Sequence, residues 1–330
     1  MRYTQLGQTD IMVSVLGFGC MGMSEWYGAT DDKQSKNTIL NALDKGINFF
    51  DTADIYGKGH NETLLGKTLQ PHRDQVVIGT KCGIVRDSTS TEQRVIDCSR
   101  EYITQSCDAS LKRLGIDHID IFYLHRIDAS RPIEESILAM ADLVKAGKIR
   151  AIGLSEANPE IIERAHHIFP VSAIQTEYSI AICKPAKTVL PLCKDKKISF
   201  VAYSPLSRGL LSNQYKNLDK FDKNDFRREL PYLSPENFND NQHLFNALEN
   251  IANNNNITPA QLALAWVINQ NDNIIAIPGM RRTEHLLQNV VSTEIKLSHN
   301  CLAEIEKVKQ EFGFKGERLP VELLALYNMR

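Results

Sequence analysis

The chain alternates strand-like apolar runs with amphipathic helix-like segments, and this alternation constrains its fold more than any other feature. Eight runs rich in branched and aromatic residues fit strands, namely VSVLGFG, INFFDTA, VVIGTK, IDIFYLH, IRAIGLS, SAIQTEYS, ISFVAYS and NIIAIPG. The segments between them, such as EYITQSCDASLKRLG, have helical periodicity and end at Gly, a common helix C-terminal signal. Strands that alternate with helices form a parallel sheet, and eight strands close a barrel. We therefore predict an α/β fold, a (β/α)8 TIM barrel, as a single domain over residues 1–330.

Both ends of the chain and one internal segment depart from this alternation. RYTQL and IMVSV, joined by GQTD, predict an N-terminal β-hairpin that plugs one end of the barrel. Helices are expected after the last strand, but we assign no role to the tail over residues 319–330. Residues 207–258 are polar and rich in Asn and Asp before a helix resumes, which predicts a long loop that acts as a lid over a binding site. A disordered surface insertion is the alternative.

Polar or titratable residues stand where three of the strand-like runs end. Asp51 and Tyr56 follow INFF, Lys81 ends VVIGTK, and His125 ends IDIFYLH. Barrel enzymes place their chemistry at the carboxyl ends of strands, so we expect these four side chains to form one site. The set fits reduction of a carbonyl. Tyr56 would donate a proton to the oxygen as hydride reaches the carbon, and Lys81 would lower the pKa of the phenol from about 10 toward working pH. Asp51 would hold and neutralise Lys81, and His125 would orient the carbonyl by a hydrogen bond.

Each of these residues also has a simpler structural interpretation. Asp51 could cap a turn, Tyr56 could be a half-buried aromatic, Lys81 a surface charge, and His125 a satisfied core histidine. Together, these interpretations would leave a buried Asp and Lys without a purpose. Removing two charges from water costs several kcal/mol per ion unless they pair well. The joint catalytic interpretation is therefore favoured.

GFGCMG, over residues 17–22, matches the GxGxxG pattern of a doubly wound dinucleotide-binding fold, with Asp51 at the end of the next strand. Such a fold needs a helix to begin directly at the glycines, and here MSEWYGATDD intervenes before a plausible helix cap at Thr30 or Asp31. Eight strands also exceed a single six-stranded sheet. The barrel is therefore favoured, and the glycines would let the first strand end close to a ligand.

These residues resemble a known family. The stretches GFGCMGMS, FFDTADIYG, GTKCG, LHRID, GKIRAIGLSEA, IQTEYS, VAYSPLSRGLL and AIPGMRR, in this order, resemble the aldo-keto reductase superfamily from about Tyr3 to about Arg318. LHRID, GLSEA and SPLSRG are most similar to the branch of plant auxin-induced-like and perakine reductases and their bacterial relatives. The resemblance implies reduction of aldehydes or ketones to alcohols with NADPH, in which Asp51, Tyr56, Lys81 and His125 are the catalytic residues.

The resemblance also implies which residues bind NADP(H), and the lid over residues 207–258 would cover it. Ser155 and Gln175 would hold the nicotinamide carboxamide, and Tyr203 would stack on the ring. The residues implied for the pyrophosphate are Ser204, Leu206, Arg208 and Gly209, those for adenine are Gln288 and Asn289, and Gly279 joins the cofactor-binding set.

Two arginines give the adenosine end a physical argument of its own. Arg281 and Arg282 directly precede TEHLLQNVV, whose helix N-terminus is the positive end of its dipole, so two cations there favour a bound anion. A 2′-phosphate is such an anion, and two solvated arginines are the alternative. His285 and Met280 stand where many family members have Arg and a small hydroxyl residue, so the strictness of NADPH over NADH stays open.

The substrate pocket is less well defined by the sequence. Residues that follow the first strand, together with one beside His125, would line an apolar, adaptable pocket, namely Met21, Met23, Trp26, Tyr27 and Arg126. Cys20 and Cys82 adjoin the site, so their oxidation could impair it, although most such cysteines are small apolar residues. We assign no metal site.

Composition agrees with a cytoplasmic enzyme, and the resemblance implies a small-molecule carbonyl compound as its substrate. The formal net charge of -2 provides no pull toward nucleic acid or anionic lipid. MRYTQLGQTD lacks the apolar core of a signal peptide, and seven scattered cysteines indicate free thiols in a reducing compartment. The oligomeric state cannot be read from the sequence. Some barrels of this superfamily are regulatory subunits that sense nicotinamide redox state for a protein partner, and this alternative stays open.

Overall fold

Strands and helices alternate as predicted in a computed structural model that describes residues 1–86, 94–184, 186–223 and 225–327. The tail residues 328–330 thus lie outside the described residues. All eight apolar runs contribute strands to one parallel sheet, in the order β12-β11-β10-β9-β8-β5-β4-β3. The strands of the described residues are β1 (Tyr3–Gln5), β2 (Met12–Ser14), β3 (Phe18–Gly19), β4 (Phe49–Asp51), β5 (Val77–Cys82), β6 (Ile84–Arg86), β7 (Arg94–Ile96), β8 (Ile119–Leu124), β9 (Ile149–Ser155), β10 (Val171–Glu177), β11 (Ser199–Tyr203) and β12 (Ile274–Ile277).

The sheet closes into a barrel between β3 and β12. Gly17 N donates to Ala276 O at 2.8 Å, and Gly19 and Gly279 form a parallel bridge. A Cβ on Gly19 would stand 2.8 Å from the Ile277 carbonyl oxygen, so only glycine lets the first and last strands approach this closely. The first glycines of GFGCMG therefore serve the packing of the barrel seam.

The helix that follows GFGCMG begins too late for a dinucleotide-binding turn. A short 3-10 turn over Met21–Met23 comes first, and α1 begins at Asp32. The Asp31 carboxylate caps α1 by accepting from the backbone N–H groups of Lys33 and Gln34. This gap and the closed eight-stranded sheet exclude the doubly wound alternative.

The predicted N-terminal hairpin is formed by β1 and β2, which pair antiparallel. Leu6, Ile11 and Val13 of the hairpin are buried against residues at the start of the barrel strands, such as Phe49 and Val77. The run VSVLGFG was predicted as one barrel strand, but its first residues belong to β2, because they pair with β1. The hairpin plugs the amino-terminal end of the barrel.

Local signals set the ends of several helices. Gly115 follows α3 with a φ of +67°, and Thr258 and Gln261 form a capping box at the start of α8. None of the helices in the described part of the chain is both long and apolar enough to cross a membrane. The helices there are α1 (Asp32–Asp44), α2 (His60–Leu69), α3 (Arg100–Leu114), α4 (Ile133–Lys145), α5 (Pro159–Ile168), α6 (Ala186–Asp195), α7 (Pro235–Asn254), α8 (Pro259–Ile268), α9 (Thr283–Val291), α10 (His299–Phe312) and α11 (Val321–Leu326).

The polar segment after β11 contains more helix than the predicted loop over residues 207–258. α7 occupies Pro235–Asn254 of it, so the irregular part ends at Ser234, whose side chain caps α7. The helix was hidden because its first turns are polar, whereas Phe238, Leu244 and Leu248 are buried at helical spacing. The irregular part contains short 3-10 turns, the first over Ser207–Ser212.

The C-terminal segment returns across the carboxyl end of the barrel after α10. Lys315 exchanges two hydrogen bonds with the Asn241 side chain of α7. Arg318 Nη2 lies 2.8 Å from Glu156 Oε2, just past β9, and its Nη1 lies 3.8 Å from Glu177 Oε2, at the end of β10. These contacts fix the segment over the strand ends, with α11 beyond them.

Candidate active site

The four residues predicted to form one site meet at the carboxyl ends of neighbouring barrel strands. Asp51 is the last residue of β4, Lys81 lies near the end of β5, and His125 directly follows β8. Tyr56 begins a 3-10 turn that leads from β4 to α2. Each side chain is buried, and Lys81 is fully enclosed. The fold thus brings together residues that are far apart in sequence.

Lys81 is the centre of this group. Its ammonium nitrogen donates to Asp51 Oδ1 at 2.5 Å, to the Thr52 carbonyl oxygen at 2.7 Å and to the Tyr56 hydroxyl oxygen at 3.5 Å. An ammonium has three donors, so all are used. Gln175 Nε2 donates to the second Asp51 oxygen, Oδ2, at 2.8 Å. The buried charge of Lys81 is therefore paired, and the Asp51 carboxylate is satisfied on both oxygens.

Electrostatics keep the ammonium charged and the phenol protonated. Burial lowers the pKa of Lys81, but Asp51 and Tyr56 outweigh burial and hold that pKa above its usual value. Burial raises the pKa of Tyr56, and the Lys81 ammonium lowers it by less than burial raises it. The net lowering of the Tyr56 pKa predicted from the sequence is therefore wrong. Lys81 limits the rise instead.

His125 lies beside the Tyr56 ring. The two ring centroids are 5.9 Å apart, and the planes meet at 79°. The backbone N–H of His125 donates to the Cys82 carbonyl oxygen at 2.7 Å, which continues the pairing of β8 with β5. The imidazole and the phenol therefore border the same space.

A cavity of about 980 Å³ opens at this end of the barrel. Asp51, Tyr56 and His125 line it, whereas Lys81 lies behind Tyr56 and does not. All the residues that the sequence assigns to a cofactor also line it, namely Ser155, Gln175, Tyr203, Ser204, Leu206, Arg208, Gly209, Gly279, Arg281, Arg282, Gln288 and Asn289. One cavity therefore extends from the tetrad, that is Asp51, Tyr56, Lys81 and His125, to the start of α9.

The wall next to β11 has an unusual backbone. Ser204, Ser207, Arg208 and Gly209 all have positive φ values, of 49°, 45°, 55° and 96°. Three of them are not glycine, and a positive φ is strained in such residues and persists only where the surrounding structure imposes it. Arg227 braces this turn by donating to the Arg208 carbonyl oxygen at 3.0 Å.

Arg227 also holds the irregular segment beside the cavity. Its guanidinium pairs with Asp225 at 2.6 Å, and its central carbon lies 4.9 Å from the ring centroids of Tyr27 and Tyr215 and 4.5 Å from that of Phe221. Such contacts between a guanidinium and aromatic faces are favourable. The segment after β11 is therefore tied to the loop after β3 across the cavity.

The far end of the cavity is basic. Burial lowers the pKa of Arg281, and the neighbouring Arg227 and Arg282 guanidinium groups lower it further. Arg281 Nη1 donates to the Tyr27 carbonyl oxygen at 2.7 Å. These like charges at the start of α9 would be relieved by an anion, so this end of the cavity fits a phosphate group.

The residues predicted for the substrate pocket divide into two groups. Met21, Trp26, Tyr27 and Arg126 line the cavity, and the Trp26 ring stands edge-on to Tyr56 with centroids 5.5 Å apart. Met23 does not line the cavity. It is buried in the hydrophobic core, because the 3-10 turn over Met21–Met23 directs it inward.

The sequence missed the C-terminal segment as part of the site. Leu319, Leu323 and Tyr327 line the cavity. The Arg126 guanidinium carbon lies 4.7 Å from the centroid of the Tyr327 ring. The apolar spacing of VELLALY was the only local signal, and nothing in it indicates which surface the helix covers.

Cys20 and Cys82 are both buried. Burial raises the pKa of each thiol, and Asp51 raises that of Cys20 further. Oxidation requires thiolate character and exposure, so the geometry does not support a redox role for either cysteine. Among the described residues, no group of three or more His, Cys, Asp or Glu could hold a metal ion.

Comparison with known proteins shows the family and the fold of the chain. A model of the aldo/keto reductase family matches residues 15–310. The chain belongs to the aldo/keto reductase family. It is 40% identical over 313 residues to the aldo-keto reductase yakc [NADP(+)] of Schizosaccharomyces pombe, which covers 93% of this chain and 92% of that protein. A probable aldo-keto reductase of Glycine max is also 40% identical, over 303 residues that cover 91% of this chain and 87% of that protein.

Solved structures of aldo/keto reductases have the same barrel. The glycerol dehydrogenase of Gluconobacter oxydans superposes with a TM-score of 0.86 at 26% identity, covering 94% of this chain and 95% of that one. An aldo/keto reductase of Klebsiella pneumoniae in complex with NADP and acetate superposes with a TM-score of 0.70 at 26% identity and covers the same shares. The predicted (β/α)8 fold is confirmed.

Proposed function

We propose that this aldo/keto reductase reduces aldehydes and ketones to alcohols with NADPH, and that Tyr56 donates the proton. The observation that carries the proposal is the buried Lys81 ammonium, which hydrogen bonds to both Asp51 and Tyr56 at the wall of the cavity. The same arrangement favours catalysis over a regulatory subunit, because a paired Lys and a protonated Tyr are what proton donation requires.

The substrate carbonyl oxygen would lie between the Tyr56 hydroxyl and the His125 ring, since both border the same space. Tyr56 donates its proton to that oxygen as the carbon is reduced. Phenolate forms as the proton leaves, and the Lys81 ammonium stabilises that charge in a water-poor site. Asp51 keeps Lys81 in place, and His125 orients the carbonyl.

NADPH supplies the hydride when bound. Its nicotinamide end would lie next to the tetrad, where Ser155 and Gln175 would hold the carboxamide and Tyr203 would stack on the ring. Gln175 also donates to Asp51, so it would link the cofactor to the catalytic charges. The pyrophosphate would follow Ser204, Leu206, Arg208 and Gly209, where the positive-φ turn directs the backbone along the cavity, and Gly279 would contribute to the cofactor site from the seam between β3 and β12.

The 2′-phosphate and adenine would lie at the start of α9. Arg281 and Arg282 provide the like charges that an anion relieves, with Gln288 and Asn289 beside them on the cavity wall. The similar Klebsiella pneumoniae reductase was solved in complex with NADP, and the Schizosaccharomyces pombe relative is an NADP(+) reductase by its name. These findings support NADPH as the cofactor.

The segment before α7 would act as the lid of a single barrel domain over residues 1–330. Arg227 holds this segment against Tyr27, which lies across the cavity that NADPH would enter. Limited proteolysis with and without NADPH tests the lid. We expect NADPH to protect residues 213–230 from cleavage, and equal cleavage rates would contradict a lid.

The chain would act in the cytoplasm on small molecules, within the branch of plant auxin-induced-like and perakine reductases. The 40% identity to the Glycine max protein supports that branch, and the net charge of -2 supports small-molecule substrates over nucleic acid. Membrane enrichment of the protein in cell fractions would contradict the location.

The direct experiment measures NADPH consumption by the purified protein against aromatic, aliphatic and dicarbonyl compounds. Turnover of at least one aldehyde or ketone, with the alcohol as product, is expected. Failure to oxidise NADPH with every class, in protein that binds NADPH, would contradict a reductase and favour the regulatory alternative.

A further inference from the structure

Arg126 is a buried cation at the catalytic end of the cavity. It directly follows His125, its residue is 9% exposed, and it lines the cavity together with Tyr56 and His125. Its Nη1 donates to the His125 carbonyl oxygen at 2.6 Å and to Ser155 Oγ at 3.3 Å. Two strand ends therefore fix the guanidinium beside the position proposed for the carbonyl.

Arg126 makes no ion pair with a carboxylate within 4.0 Å in the described residues, although the buried Glu177 carboxylate interacts electrostatically with it from farther away. Buried arginines elsewhere make such a pair: Arg227 pairs with Asp225 at 2.6 Å, and Arg318 with Glu156 at 2.8 Å. The Nε atom of Arg126 is buried and has no acceptor in this part of the chain. A buried charge without a directly paired carboxylate is costly, so the open Nε position favours an anion.

Three other cavity arginines, Arg208, Arg281 and Arg282, also have no carboxylate within 4.0 Å in the described ranges, and they lie where the cofactor pyrophosphate and 2′-phosphate are proposed to bind. Arg126 is different, because it adjoins His125 and therefore faces the substrate. Its Nη1 is occupied by protein oxygen atoms, whereas the edge formed by Nε and Nη2 makes no hydrogen bond to the described residues. That edge matches the two oxygens of a carboxylate.

Several walls of the cavity are apolar or aromatic. The Tyr327 ring stacks near the guanidinium, with 4.7 Å between its centroid and Arg126 Cζ, and Leu323 and Ile84 line the same cavity. Trp26 stands edge-on to Tyr56. Low polarity around a cation strengthens its attraction for an anion, and the aromatic walls fit a planar carbon skeleton.

We propose that Arg126 binds a carboxylate of the substrate, so that the preferred substrates are aldehydes and ketones that carry a carboxylate group. The carbonyl oxygen lies at Tyr56 and His125, and the carboxylate lies at the Nε edge of Arg126. This inference rests on the proposed carbonyl reduction and specifies its substrate class. Arg126 is then a specificity-determining residue.

The test compares each carboxybenzaldehyde isomer with its methyl ester, which keeps the ring and the aldehyde but removes the charge. For at least one isomer, we expect kcat/KM of the acid to exceed that of the ester by about tenfold or more, as a charge-assisted contact provides. Arg126→Gln should remove this preference, and Arg126→Lys should retain part of it. Arg131→Gln is the matched control, because Arg131 pairs with Asp128 and does not line the cavity, and it should keep the preference.

Fluorescence titration with NADPH shows that each variant is folded and binds cofactor. An acid-to-ester ratio near one in the unmodified protein, or a ratio unchanged in Arg126→Gln, would overturn the carboxylate site while leaving the reductase intact. Equal loss with acids and esters, together with weaker NADPH binding, would also overturn it and assign Arg126 to the cofactor through Ser155. No turnover of acids or esters by the unmodified protein would overturn the carboxylate site, and the reductase itself would be overturned only if the aliphatic and dicarbonyl compounds also fail.

Discussion

Lys81 and Tyr56 form a pair in which burial and charge oppose each other. Burial raises the pKa of the phenol, and the ammonium 3.5 Å from its oxygen limits that rise. The pair explains why Lys81 is tolerated with no exposed surface, since Asp51 and Tyr56 both favour its charged form. The proposed catalytic contribution of Lys81 is therefore electrostatic.

Lys81→Met should slow reduction by about a hundredfold or more, because the phenolate loses its stabilising charge. The Tyr56 pKa should rise further, so the fall in rate at alkaline pH should shift to higher pH. The double variant Asp51→Asn/Lys81→Met avoids an unpaired buried carboxylate, and it should show the same loss of rate and the same shift of the alkaline limb as Lys81→Met. A pH-rate profile with an unshifted alkaline limb would show that Lys81 does not act on Tyr56.

Glu177 is a buried carboxylate whose titration affects stability. It is fully buried, neither carboxylate oxygen has a hydrogen-bond donor in the described residues, and Arg318 Nη1 stands 3.8 Å away. Burial raises its pKa from 4.5 to about 6, although Arg208 and Arg318 oppose the rise. A carboxyl with a raised folded-state pKa stabilises the fold when protonated, and this contribution is lost as pH rises from 4.5 through about 6.

As pH rises from about 4 to about 7, the free energy of unfolding of Glu177→Gln should therefore increase by roughly 2 kcal/mol relative to that of the unmodified protein. The size follows because each pKa unit is worth about 1.4 kcal/mol. Urea unfolding at several pH values measures the difference. Glu163→Gln, at an exposed position of α5, controls for the chemical change. A difference that does not vary with pH would show that the Glu177 pKa is not raised.

At the scale of elements, strand ends and the start of a helix contribute different parts of the proposed site. The carboxyl ends of β4, β5 and β8 carry the proposed catalytic residues, and the start of α9 carries the two arginines. Glycines at the seam of β3 and β12 bring these ends together, because a side chain on Gly19 would meet the backbone of β12. The cavity therefore depends on the closure of the barrel.

The double change of Arg281 and Arg282 to Ala should weaken NADPH binding by about tenfold or more and leave NADH binding nearly unchanged. Each charge-assisted contact to a 2′-phosphate is worth roughly 1.5 to 3 kcal/mol. Raising the salt concentration should reproduce part of the loss, since Arg282 is exposed and its charge is screened. Fluorescence titration measures both cofactors, and equal weakening of NADPH and NADH would argue against a 2′-phosphate contact.

At the scale of the whole molecule, the sequence predicts what local signals determine. The eight strands follow from runs of branched and aromatic residues, and the ends of α1, α3 and α8 follow from their caps. The grouping of Asp51, Tyr56, Lys81 and His125 could also be predicted, because parallel strands end at one face of a barrel.

Contacts between distant segments could not be predicted from the sequence. The position of Tyr327 against Arg126 depends on how the chain returns from α10, and Arg318 fixes that return through carboxylates of β9 and β10. The pairing of Val13 with β1 and the inward orientation of Met23 likewise depend on packing. The net pKa of Tyr56 depends on the extent of burial, which the sequence does not provide.

The central claim is that Tyr56 is the proton donor, and Tyr56→Phe tests it most directly because only the hydroxyl is removed. Single-turnover reduction of the best aldehyde, together with NADPH titration, separates chemistry from binding. We predict a loss of about a hundredfold or more in the reduction rate, with NADPH affinity within about threefold of the unmodified protein. Reduction at the unmodified rate under conditions where chemistry limits turnover would contradict the account.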